Sequence, residues 1–175
     1  MKITKPFTFV ALLSCLIVWA RWIPHESNFS PVLALFLLSG FLGHGRWFSF
    51  VLPASALMLT DLYLGLYSNL ALTYLPLLLL VSLGHLAQGK WSHIYSLGLI
   101  GATAFFLVSN FGVWRFGQPA LYPYTFSGLM ECYAMALPFF RATLVSTFVS
   151  LTSAHALFAL ATRNSFLSAD FGAKR

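Results

Sequence analysis

The sequence predicts an all-α membrane protein, with about six transmembrane helices in one polytopic domain over residues 1–175. Three observations carry this. Charged residues make up 8% of the chain and apolar types 59%, against roughly 25% and 45–50% in soluble domains. The apolar runs are long and do not alternate with polar residues. The positive charges also divide unevenly between the two sets of loops. A water-soluble fold this poor in charge would expose large apolar patches and aggregate. Lipid solvates such surfaces, provided each span satisfies its own backbone hydrogen bonds as a helix or a closed barrel. Runs without alternation select helices over barrel strands.

Each helix has its own signals. The first span is expected over 7–23 and ends at Pro24, which lacks a backbone donor and clashes with the preceding turn. Lys2 and Lys5 precede it as in a signal peptide, but the apolar run continues through Cys15 to Ala20 with no small-residue cleavage pattern. It is therefore read as a retained membrane helix. The polar stretch over 24–31 ends in Ser30-Pro31, an N-cap serine followed by proline in the first helical position. A second helix over 31–43 would be about 20 Å long, too short for a hydrocarbon core of about 30 Å. One flanking loop is thus expected to dip into the membrane, the polar loop from His25 to Ser30 being the natural candidate, since irregular backbone at that depth is tolerated where protein or a water-filled cavity surrounds it.

Gly43-His44-Gly45-Arg46 reads as a tight turn. Helix three follows over 47–66, with Pro53 in its first turns, and helix four over 69–87, with Pro76 as a kink. Helix five is expected over 93–111, capped by Gly112, and a long aromatic loop over 113–127 follows. A helical stretch from Gly128 is expected to break at Pro138, and the last span runs to about Ala161.

With the N-terminus cytoplasmic, the inner face carries Lys2, Lys5, Arg46, Lys90, Arg163, Lys174 and Arg175, and the outer face Arg21, Arg115 and Arg141. This bias places both termini in the cytoplasm and the protein in the inner membrane as a multi-pass component. The net charge of +6 then reflects anchoring, and with no basic stripe it does not point to nucleic acid. Cys15 and Cys132 stand in no metal-ligand spacing, and no cofactor is expected.

The same topology gathers unusual polar residues at the outer ends: Arg21, His25, Glu26, Asn28, Asn69, Asn110, Arg115, Glu131 and Arg141. Asp61 lies about one turn below the end of helix three. An acid within a span usually faces the bundle interior or a pathway; pairing with Arg21 or Arg141 is the structural alternative. The inner half is almost uniformly apolar, which suits capture of a solute from outside and not a channel with polar lining throughout. Arg21, Arg115 and Arg141 favour an anionic group, and Phe29, Trp114 and Tyr122 could stack a ring. There is no Gly-rich phosphate loop, so energised transport needs a partner ATPase. An enzyme is not expected. His155, among Ala and Leu, reads as a packed or interhelical residue.

Several strings resemble a known family. They are Arg21-Trp22-Ile23-Pro24-His25 with Asn28-Phe29-Ser30-Pro31-Val32, Asp61 with Leu64-Gly65, Phe105-Phe106 with Ser109-Asn110-Phe111-Gly112-Val113-Trp114, and Tyr122-Pro123 through Pro138-Phe139-Phe140-Arg141. Together they resemble an uncharacterised bacterial membrane family labelled in general terms as transport proteins. That family is similar to the substrate-binding S components of energy-coupling-factor (ECF) transporters. The resemblance implies a six-helix S-component-like bundle with an outward-facing pocket for a small water-soluble compound, and a transmembrane coupling subunit and ATPase as partners. Its polar signature falls on Arg21, His25, Asn28, Asp61, Asn110, Trp114, Tyr122 and Arg141, to which the outer polar cluster adds Glu131. Ala142 and Ser146-Thr147 depart from the family pattern, where Asn and a Gly-Asp pair are expected. The competing reading is a non-transporting scaffold subunit of a cell-envelope assembly.

Overall fold

The computed structural model describes residues 5–22, 28–43, 46–66, 70–87 and 89–163. They form six helices: α1 (Lys5–Trp22), α2 (Val32–Gly43), α3 (Phe48–Leu64), α4 (Leu70–Leu86), α5 (Trp91–Phe116) and α6 (Phe126–Arg163). No strand occurs among the described residues. The ends of α1 to α4 lie within about two residues of the positions their proline, serine and glycine signals mark.

The architecture is built around α2. This helix is apolar on every side, and 11 of its 12 residues are buried. A helix without a polar face must be enclosed by protein or lipid; here all five other helices touch it. Phe36, Leu37 and Leu38 of α2 pack with Ile17 of α1, Leu57 of α3, Leu77, Leu80 and Val81 of α4, Ile94 of α5 and Leu151 of α6. At one crossing the backbones of α2 and α4 come together. A Cβ on Gly40 would lie 1.8 Å from the Val81 carbonyl oxygen, and one on Gly84 would lie 2.0 Å from that of Leu37. Glycine is required there because it lets two helix backbones approach closely.

Ring contacts give the directions of the helices. Phe7 meets Phe48 at 5.4 Å and Trp22 meets Tyr63 at 6.0 Å, so α1 and α3 run parallel. Phe106 meets Phe140 at 4.6 Å and Trp91 meets His155 at 4.4 Å, so α5 and α6 run antiparallel. One end of the bundle therefore holds the α1–α2, α3–α4 and α5–α6 connections. The other end holds the α2–α3 and α4–α5 turns.

Two sequence expectations are corrected. Gly112 does not cap α5; it is buried inside a 26-residue helix that ends at Gly117, whose N–H donates to Val113 at 2.9 Å. Pro138 does not break the last helical region, because α6 continues through it for 38 residues. In both places packing outweighs the local signal. Tyr133 donates to the Leu107 carbonyl at 2.8 Å, and Cys132 to that of Asn110 at 3.5 Å. The Phe106 ring touches Tyr133 and Phe140, one on each side of the proline. α6 is thus held against α5 on both sides of Pro138.

Both α5 and α6 are long and apolar enough to cross a bilayer, and in each only 22% of the apolar stretch is buried. Core helices of a water-soluble fold would be mostly buried. Leu99, Ile100, Leu107, Val145 and Val149 instead stand exposed along the outside of the pair.

Candidate functional site

The site begins at the last turn of α1. Arg21 reaches across to α3 and forms an ion pair with Asp61, whose side chain is only 1% exposed. A carboxylate so buried is costly unless it is paired and hydrogen-bonded. Tyr74 of α4 meets that need on the other oxygen, donating to Asp61 Oδ2 at 2.7 Å. One carboxylate thus ties α1, α3 and α4 together at the end of the bundle that holds the α1–α2 loop.

Beside this triad, the chain enters α2. Asn28 has φ +60°, in the left-handed region that Asn tolerates better than most residues. The expected capping role of Ser30 is not what the structure has. Its hydroxyl oxygen is buried without a hydrogen-bond partner, while its carbonyl accepts from Ser146 of α6 at 3.0 Å. Ser146, one of the departures from the family pattern, therefore pins the start of α2 to α6.

These groups surround a cavity of about 100 Å³. Its polar side is Arg21, Asn28, Ser30, Thr73 and Thr143, and its apolar side is Val32, Leu33, Leu57, Leu77 and Phe105. Every helix contributes. The first turn of α2 lines it through Val32 and Leu33, where the leading backbone N–H groups of a helix lack intrahelical partners.

The sequence profile of a family of unknown function (DUF6580) matches residues 1–169. The chain belongs to the DUF6580 family. No curated protein and no solved structure matches it.

In this DUF6580 chain the nine candidate residues divide. Arg21 and Asn28 line the cavity, and Asp61 lies off its wall, paired with Arg21. His25 lies outside the described residues. Asn110 turns back on its own helix, donating to the Phe106 carbonyl at 2.8 Å. Trp114 donates to the Pro123 carbonyl at 2.9 Å and meets Tyr124 edge-on at 6.1 Å, so it orders the α5–α6 loop. Tyr122 sits half-buried in that loop. Glu131 and Arg141 are exposed on α6. None of these last five lines the cavity. His155 is the interhelical residue its neighbours imply: it stacks on Trp91, and its Nδ1 lies 3.2 Å from the Tyr95 hydroxyl.

Sequence reasoning missed Thr73, Tyr74 and Thr143, and gave Phe105 no role. A usable signal was present for Thr73 and Tyr74: both are polar residues in the first turns of helix four, at the depth of Asp61. Because Trp114 serves the loop, Trp114→Phe is expected to cost about 1 kcal/mol, the worth of one hydrogen bond. Faster amide exchange confined to residues 117–125 would check this; faster exchange at α2 would contradict it.

Proposed function

We propose that this chain is a polytopic protein of the bacterial inner membrane, with six crossing helices and both termini cytoplasmic. In this reading it is a transport subunit that captures a small water-soluble compound from outside the cell. Its design resembles that of the substrate-binding S components of ECF transporters, and active uptake would require a transmembrane coupling subunit and an ATPase.

The observation that carries the reading is the cavity. All six helices wall it, and its polar side lies at the end of the bundle that holds Arg21, Asn28 and Asp61. Below it α2 fills the bundle with buried apolar side chains. The arrangement is a pocket with a closed floor, open to capture and unsuited to free passage. Charge supports the orientation, because among the described residues Lys5, Arg46, Lys90 and Arg163 fall at the opposite end. The exposed apolar residues of the outer helices, among them Leu12, Leu59, Leu62, Leu79 and Leu99, support contact with lipid.

Two measurements test this. Asn28→Cys in a background without Cys15 and Cys132 is expected to react with a membrane-impermeant maleimide in intact cells, while Lys90→Cys reacts only after lysis. Both cysteines reacting from outside would refute the orientation. A thermal-shift screen of vitamins, nucleobases and small amides and acids is then expected to yield at least one stabilising compound, with the effect lost in Asn28→Ala. Silence across the screen would sink the capture reading.

A further inference from the structure

The cavity also selects by charge, an inference that rests on the capture reading above. Arg21 is the one charged side chain among the described residues that line it. Its charge is already met by Asp61, whose other oxygen is taken by Tyr74. Among the described residues the wall therefore carries no net charge. A carboxylate entering there would lie near a buried carboxylate, with no described cation on the wall left to offset it, and a buried unpaired charge is strongly disfavoured. The sequence expectation of an anionic compound relied on Arg21, Arg115 and Arg141 as free cations. The structure pairs the first and leaves the other two off the cavity wall.

What the wall does offer is unmet hydrogen-bonding capacity. Arg21 Nε and Ser30 Oγ are both buried without a hydrogen-bond partner, and both residues line the same cavity. Buried polar atoms are rarely left unmatched in native proteins. Arg21 Nε can only donate, and a serine hydroxyl can donate or accept. A carbonyl oxygen can accept from either. The cavity is also lined by Val32, Leu33, Leu57, Leu77 and Phe105, which suit a compact apolar group. The volume of about 100 Å³ is about two thirds of a cavity that holds benzene, so it encloses only a part of a small compound, on the order of four non-hydrogen atoms.

We infer that the cavity takes an uncharged compound, whose carbonyl oxygen accepts from Arg21 Nε and Ser30 Oγ and whose small apolar or ring portion lies against Leu33 and Phe105, and that it rejects the matching carboxylate.

The test uses isosteric pairs. Full-length protein in nanodiscs is titrated at neutral pH with isobutyramide against isobutyrate, and with benzamide against benzoate, following the unfolding midpoint and saturation-transfer NMR. Each amide is expected to bind at least tenfold more tightly than its acid. Ser30→Ala is expected to weaken amide binding about tenfold while leaving the ligand-free midpoint unchanged or higher, since it removes an unmatched buried hydroxyl. Equal or tighter binding of the acids overturns the inference and leaves the capture reading standing. So does stabilisation by another compound of the screen with neither amide bound. A lower ligand-free midpoint for Ser30→Ala also overturns it, because the hydroxyl would then serve the fold. If no compound of the whole screen binds, both readings fall.

Discussion

Asp61→Ala is expected to cost about 3 kcal/mol of stability. Breaking a buried ion pair by removing one partner costs about 3–5 kcal/mol, because the other charge is left without its counterion. Here the stranded group is Arg21, whose side chain is 25% exposed, so solvent offsets part of the loss and the lower figure applies. Tyr74 would also lose the oxygen it donates to at 2.7 Å. Asp61→Asn keeps the shape and an acceptor for Tyr74 but loses the charge, so its cost should be smaller. Arg21→Ala leaves the carboxylate buried with only Tyr74, and should cost about as much as Asp61→Ala. The double variant should cost clearly less than the sum of the two, as it does for residues that act as a pair. Unfolding in nanodiscs across this set is the measurement. Additive costs would mean that the two side chains contribute separately.

Gly40→Ala and Gly84→Ala should be as damaging or worse, at about 3 kcal/mol or more each. The new methyl group would lie 1.8 Å from the Val81 carbonyl oxygen in the first case and 2.0 Å from that of Leu37 in the second. Overpacking ordinarily costs about 1–3 kcal/mol, because side chains shift to make room. Backbone atoms cannot swing aside, so α2 and α4 would have to separate. Gly101→Ala provides the contrast. Its methyl group would meet Leu80 Cδ2 at 2.1 Å, the far end of a flexible side chain, and about 1 kcal/mol is expected. If all three variants unfold at the same midpoint, the close crossing of α2 and α4 does not govern stability.

These two sites show what could be read from the chain beforehand. Asp61 stood out as an acid in an apolar span, and Arg21 was one of two partners considered; the structure chooses it over Arg141, which faces outward. The end of α1 and both ends of α2 were legible because Pro24, Ser30-Pro31 and Gly43 punctuate them locally. Gly112 and Pro138 carry the same local signals and were misread, because contacts with a helix distant in sequence override them. Ser30 was misread for a related reason. Its position fits a cap, but its hydroxyl is left without a partner while its carbonyl accepts from Ser146, a residue brought near only by folding. Asn110 and Trp114 looked available to a ligand because a sequence does not show that their donors are spent on Phe106 and Pro123.

The enclosure of α2 bears on how the protein is made. This helix is complete once residue 43 has been added, yet the hydrogen bond from Ser146 to Ser30 spans 116 positions. At roughly 5–20 residues per second, the ribosome needs about 5–20 s more to deliver α6. During that interval the most apolar segment of the nascent chain lacks part of its enclosure. Synthesis should therefore depend on a membrane insertase that shields α2 until the later helices arrive, and release before α6 emerges should send the chain to proteolysis.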